Sequence, residues 1–319
     1  MVNIYSLTRQ ELENELSLIN EKPFRAVQIF EWIYKKGVDS FYEMTNIAKS
    51  SRENLDKHFT MNILETAALQ ESSDGTKKFL FTLADRNHIE TVLMKQNYGN
   101  SVCVSTQVGC NMGCSFCASG LYKKKRNLEV YEMVEQVLIV KKLLQSQGED
   151  LTHIVVMGIG EPFDNYDNLI SFLQIVNDAK GMEIGARHIT VSTCGIVPRI
   201  YDFANFPLQI NLAISLHFPN DSLRSQYMKI NKVYNLEALF KALEYYYEKT
   251  NRRLTFEYIL LEGINDTKEC ALELVTLLKG INCYVNLIPM NASVLAFKRS
   301  SKKQMDQFYQ ILASHKLNV

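Results

Sequence analysis

Beyond Tyr98, six short apolar runs (SVCVS, HIVVMG, HITVST, INLAISL, LTFEYIL and CYVNLIPM) are separated by longer stretches, several of them with helical periodicity. Helices are expected at about 132–147, 169–178, 235–247 and 267–278. Strands that need such crossovers pair in parallel, and six of them predict an α/β fold with a curved, barrel-like sheet. In folds of this kind reactive side chains gather after the C-terminal ends of the strands. The polar segments GIGEP, STCG, SLHFPND, EGIND and PMN fall there.

The first hundred residues read differently. Positions 12 to about 59 suggest short helices, with Pro23 near one start and Gly37 at one end. Positions 63–94 suggest three short strands, LETAALQ, KKFLFTL and HIETVLM, joined by the turn-like SSDGT and ADRN. The expected organisation is a helical accessory domain at 1–60, a small β meander at 61–97 and a barrel at 98–319. Composition narrows the class. The chain is 46% hydrophobic and 22% charged, with Lys+Arg equal to Asp+Glu, so global charge does not suit it to gripping nucleic acid. No run of about 18 apolar residues would span a bilayer. The acidic start lacks a signal-peptide pattern, so a cytoplasmic location is expected.

Seven cysteines in a chain of 319 residues are too few and too uneven for a disulfide scaffold. Cys110, Cys114 and Cys117 are spaced C-x3-C-x2-C, and Gly109, Gly113 and Gly120 let that segment fold closely. Soft thiolates at such spacing select zinc, copper(I) or an iron–sulfur centre. Structural zinc asks for a fourth ligand that is not evident nearby, whereas a [4Fe–4S] cluster held by three leaves one iron open. Inert buried cysteines are the plain alternative. Glu161 in MGIGEP could accept hydrogen bonds from an ammonium group, or simply close a turn. His217 in ISLH reads as a ligand contact or as a core histidine. Two basic runs, Lys123–Arg126 and Lys298, Arg299, Lys302 and Lys303, suit a phosphate backbone or an ordinary solvated face.

Together IETVLM, CVSTQVGCNMGCSFCASG, VVMGIGEPFDNYDN, ITVSTCGIVP, LAISLH and NLIPMN resemble, in order, the radical S-adenosylmethionine (SAM) adenine methyltransferases of large-subunit ribosomal RNA, the RlmN/Cfr family. The resemblance covers nearly all of the chain. It implies a partial (β/α)6 radical-SAM barrel with one [4Fe–4S] cluster on Cys110, Cys114 and Cys117. It implies SAM contacts at Gly160, Glu161, Ser192, Ser215, His217 and Asn291, a proton acceptor at Glu90, and a catalytic cysteine at Cys103 that resolves a protein–RNA adduct. The implied reaction is methylation of adenine C2 in 23S rRNA, with tRNA as a further substrate and C8 as the family's other outcome. The implied partners are the RNA and a flavodoxin or ferredoxin reductant, acting on a monomer. The family's methyl-carrying cysteine belongs to a C-terminal GxDIxxACGQL segment. The sequence stops at Val319 without a counterpart, and Cys270 and Cys283 read as core. On that reading a chain ending there would cleave SAM, or bind RNA, without methylating it.

Overall fold

The computed structural model describes residues 1–61, 63–291 and 296–319. The chain divides into two compact units, one of Met1–Val108, Arg126–Ile159 and Asn165–Ile189, the other of Gly109–Lys125, Gly160–Asp164 and Thr190–Val319.

In the first unit the N-terminal helices form for local reasons. Thr8 accepts from the Glu11 backbone while the Glu11 carboxylate accepts from the Thr8 N–H, a capping box that starts helix Arg9–Leu18. Leu12 and Leu16, one helical turn apart, are both fully buried. Helix Arg25–Phe30 runs into a π-turn at Glu31–Lys35, and helix Lys49–His58 follows. The meander appears at Glu65–Glu71, Lys77–Thr82 and His88–Gln96, within two residues of expectation. These strands pair antiparallel in sequence, and His88–Gln96 pairs antiparallel with Gly99–Cys103. Gly99–Cys103 then pairs in parallel with Leu151–Val156. The sheet is thus mixed, where the sequence suggested a meander ahead of a parallel barrel. The antiparallel turn follows from the two-residue link at Asn97–Tyr98, too short for a crossover.

Helix Val130–Ser146 is buried well beyond one stripe. Its Gln136 amide accepts from Thr91 Oγ1 (2.7 Å) and the Ser105 N–H (2.9 Å) and donates to the Ser105 carbonyl (3.1 Å). One turn earlier, Glu132 takes both Arg126 guanidinium nitrogens at 2.7 and 2.8 Å. Between them lies Glu135, 1% exposed, whose two carboxylate oxygens have no hydrogen-bond partner. The hydroxyls of Tyr5 and Tyr34 and the amide nitrogen of Asn3 are likewise buried and unpaired. Burial pushes the Glu135 carboxyl up to about 8, opposed by the Leu64 backbone and the Asn3 side chain.

In the second unit, strands Ile189–Thr193, Asn211–Ser215, Leu254–Leu260 and Cys283–Pro289 pair in parallel in chain order. Helices Val197–Ala204, Asp221–Tyr227, Leu236–Thr250 and Lys268–Leu277 make the crossovers, and Lys302–Ser314 follows the last strand. The parallel pairing expected from the apolar runs is present. All these strands end at one edge, at Thr193, Ser215, Leu260 and Pro289.

Candidate active site

The cysteine loop belongs to the second unit and packs on its strand ends. Gly109 lies at φ +75°, and a Cβ there would stand 2.4 Å from the Lys123 carbonyl, so this turn admits only glycine. Cys110 N–H donates to the Tyr122 carbonyl (3.0 Å), and Cys117 N–H to the Cys114 carbonyl (3.2 Å). The Ser115 N–H donates to the Tyr227 carbonyl at 3.0 Å and anchors the loop to helix Asp221–Tyr227. Phe116, between the second and third cysteines, stands edge-on to His217 at 5.0 Å and to Phe218 at 5.8 Å. Met112, Cys114 and Cys117 pack on an apolar cluster of Phe116, Cys194, Phe218, Met228, Leu261 and Met290.

The three loop thiols are all partly buried. Burial pushes Cys114 up to about 12, and the neighbouring Cys117 and Cys110 add to the rise. Cys110 is raised by burial in the same way, and Cys117 contributes there too. Among the described residues no three His, Cys, Asp or Glu side chains close into a preformed metal site. The thiols are gathered on one loop against an apolar wall, a donor set that suits a soft metal cluster.

At the strand ends, Gly160 adopts φ +108°, outside the range open to side-chain-bearing residues. Glu161, 4% exposed, accepts from the Phe163 N–H (3.1 Å), Thr193 Oγ1 (2.7 Å) and the Cys194 N–H (2.8 Å). Its carboxylate therefore ties the GIGEP turn to the STCG turn. Burial raises its pKa, and the bonds from Cys194 and Thr193 pull it back. Ser192, next to the end of its strand, and Ser215, at the end of the adjacent parallel strand, have their hydroxyl oxygens 3.3 Å apart. His217 sits at φ +58°, a strained conformation for a non-glycine residue. Three bonds impose it. The His217 N–H donates to the Glu257 carbonyl (3.1 Å), Asn265 Nδ2 donates to the His217 carbonyl (2.7 Å), and the Ile259 N–H donates to Nδ1 (3.1 Å). Burial, helped by nearby Arg224, lowers the His217 pKa to about 3, so the ring is neutral, and the Ile259 N–H donating to Nδ1 leaves the proton on Nε2. Asn291 is exposed after the last strand.

Arg224 is the residue that sequence reasoning missed. It is 1% exposed, and its donors reach the carbonyls of Cys194 (2.6 Å), Leu216 (3.3 Å) and Ser215 (3.4 Å) and the Asn231 side chain (2.8 Å). One guanidinium thus fastens the ends of two parallel strands and places a positive charge near Cys114 and Cys194. Nothing in DSLRSQY distinguishes it from a solvated helix arginine.

The other expected residues belong to the first unit. Cys103 ends strand Gly99–Cys103, in register with Val92 and Val155, and burial pushes its thiol up to about 11. Glu90, half-exposed, pairs with Lys78 at 3.1 Å. Cys194, Cys270 and Cys283 are buried, as their sequence settings suggested for the last two. Two members of the first basic run are neutralised: Lys124 pairs with Asp164 at 2.8 Å, and Arg126 with Asp85 and Glu132 at 2.7 Å each.

Parallel strands ending on a glycine-rich acid turn, beside a loop of three thiols, define a radical SAM protein, and the model of the radical SAM superfamily matches residues 104–275. The model of the ribosomal RNA large subunit methyltransferase N-terminal domain matches residues 2–61. A crystal structure of a radical SAM methyltransferase from Sphaerobacter thermophilus superposes with a TM-score of 0.95 at 42% identity, covering 100% of this chain and 94% of that one. The probable dual-specificity RNA methyltransferase RlmN of Spiroplasma citri is 54% identical over 319 residues, 100% of this chain and 92% of that protein. Its namesake from Bacillus licheniformis is 56% identical over 318 residues, 99% of this chain and 88% of that protein. The chain belongs to the RlmN family of radical SAM RNA methyltransferases, with that family's partial barrel and N-terminal helical domain. Among the described residues no helix is long and apolar enough to cross a membrane.

Proposed function

We propose that the protein is a radical-SAM RNA methyltransferase that methylates C2 of an adenine in 23S rRNA and in tRNA. The observation that carries this reading is a single unit in which the three-cysteine loop packs against the ends of parallel strands bearing Glu161, Ser192, Ser215 and His217, in a chain 54% identical to a named dual-specificity RNA methyltransferase. Cys110, Cys114 and Cys117 would hold a [4Fe–4S] cluster with one open iron. When bound, the cluster supplies the electron that cleaves SAM and so provides the radical chemistry.

The chain's own residues bind and orient. Gly160 brings backbone close to SAM, the Glu161 carboxylate accepts from its ammonium, and the hydroxyls of Ser192 and Ser215 and Asn291 offer polar contacts. His217 offers Nε2–H as a fixed donor that does not titrate near neutral pH. Phe116 and Phe218 keep water from that wall. Glu90 takes a proton and Cys103 resolves the adduct with RNA. Its raised pKa keeps the Cys103 thiol protonated until a base is presented. Residues 1–60 serve as the RNA-binding accessory domain, 61–97 as the connecting meander and 98–319 as the barrel. The protein works in the cytoplasm as a monomer reduced by a flavodoxin or ferredoxin.

The test is mass analysis of nucleosides from protein-free large-subunit RNA and tRNA, incubated anaerobically with the full-length reconstituted protein, reductant and labelled SAM. Labelled 2-methyladenosine is the expected product. Formation of 8-methyladenosine alone would reassign the position, and unmodified RNA beside vigorous SAM cleavage would overturn the reading in favour of the SAM-cleaving alternative that a missing methyl-carrying cysteine implies.

A further inference from the structure

Two helices of the second unit, one a crossover and one following the last strand, begin beside each other with lysines. Lys268 opens helix Lys268–Leu277, and Lys302 and Lys303 open helix Lys302–Ser314, which packs against it. Gln304 Nε2 donates to the Asp266 carbonyl at 2.5 Å and joins the two starts. Between them opens a cavity of about 880 Å³ whose lining includes Lys268, Lys302, Lys303, Asp306 and Gln307. All three lysines are exposed, and the ion pairs of the described residues engage none of them. Lys298 and Arg299, exposed and equally unpaired, precede the second helix. The lining also has Asp266, but that side chain is buried and accepts from the Gly263 N–H at 2.9 Å. Asp306 is the one exposed carboxylate on the lining.

Topology puts this groove on the catalytic rim. Each helix starts after the C-terminal end of a parallel strand, the edge that also carries Ser215 and His217. The link is short: Asn265 holds the His217 carbonyl, and Lys268 follows three residues later. The other basic run has spent Lys124 and Arg126 on carboxylates, whereas these cations remain available.

We infer that this groove is where the enzyme grips the phosphate backbone of its RNA, with Lys268, Lys302 and Lys303 each facing a phosphate and Lys298 and Arg299 extending the track. The inference rests on the RNA-modifying role proposed above. It explains how a chain of zero net charge binds a polyanion: charge is concentrated at one rim.

The test compares wild type with the K268Q/K302Q/K303Q variant for binding to an unmodified large-subunit RNA fragment across a salt series. Each lysine–phosphate pairing removed from single-stranded RNA lowers the slope of log K against log salt by about 0.7, so a drop of about 1.4 to 2.1 is expected for two or three such pairings. Reductive SAM cleavage in the absence of RNA should be unchanged, which shows the fold and site are intact. K123Q should leave the slope as in wild type. An unchanged slope in the triple variant, with wild-type RNA binding normal, would overturn the groove alone. So would slower reduction by an acidic electron-transfer protein with unaltered RNA binding, because the groove would then dock that protein. Absence of RNA binding by the wild type would overturn the functional reading and this inference with it.

Discussion

Replacing Glu135 by glutamine should remove a pH dependence that the fold builds in. The Glu135 carboxyl is 1% exposed and close to Tyr5 and Tyr34, and the Asn3 side chain and Leu64 backbone only partly offset the cost of burying its charged form. Its pKa rises from 4.5 to about 8. Below pH 4.5 both folded and unfolded chains hold the proton, and the site costs nothing extra. Between pH 4.5 and 8 the unfolded chain releases a proton that the folded one retains, so stability falls as pH rises and levels off above 8. At about 1.36 kcal/mol per pH unit the full cost approaches about 5 kcal/mol. The E135Q variant cannot ionise. It should match wild type at pH 4 and exceed it by about 3 to 5 kcal/mol at pH 8.5. Trp32, the chain's one tryptophan, lies two residues from Tyr34 with the Lys36 ammonium 3.5 Å from its ring centroid. Urea denaturation followed by its fluorescence therefore reads the relevant unit. Parallel pH profiles for the two proteins would show that water or a rearranged partner already solvates the carboxylate, and the reasoning would fail.

Other outcomes can be checked on the same protein. The R224M variant should lose about 2 to 4 kcal/mol, because the Cys194 carbonyl and the Asn231 side-chain oxygen lose a buried donor; R224K should recover part of that in chemical denaturation, and wild-type stability in both would dismiss the strap. Alkylation of Cys103 in the cluster-free protein at pH 8 should run about 100-fold slower than for a free thiol, since a shift from 9 to about 11 cuts the thiolate fraction that far; peptide mass spectrometry measures it, and free-thiol rates would contradict the burial. Nitrogen NMR of His217 should show a neutral ring with Nε2 protonated from pH 8 down to pH 4, and titration near 6.5 would refute the assigned tautomer. The C117S variant should lose cluster iron after reconstitution whereas C103S keeps it, with equal iron in both arguing against the loop as the holder.

The strands were readable because apolar runs bounded by turn residues are a local signal: Leu254–Leu260 coincides with LTFEYIL, and Cys283–Pro289 falls one residue short of its run. Short helices such as Val197–Ala204 and Asp221–Tyr227 carry too few turns for periodicity to declare them. The site divides the same way. Spacing within one loop reveals the three cysteines, but Arg224 takes its meaning from carbonyls donated by two separate strand ends, which no local window contains. Glu135 is the converse, an acid whose sequence setting, EMVEQVL, reads as the polar side of an amphipathic helix, yet it is 1% exposed and close to Tyr5 and Tyr34. The basic run at Lys123–Arg126 looked as promising as the later one, and only distant partners, Asp85, Glu132 and Asp164, separate them.

The apolar seat of the cysteine loop also sets an order of events during synthesis. Phe116 packs in one cluster with Cys194, Phe218, Met228, Leu261 and Met290, so the last wall of the loop's seat leaves the ribosome long after the loop itself. At roughly 5 to 20 residues per second, the thiols of Cys110, Cys114 and Cys117 spend on the order of ten to thirty-five seconds on a nascent chain with no folded partner. Throughout that interval they are open to oxidants and to stray metal ions, and equally to any carrier that delivers iron and sulfide. Codon changes that slow translation between 117 and 290 would lengthen the exposure without altering a single side chain, and the yield of metal-loaded protein would register the difference.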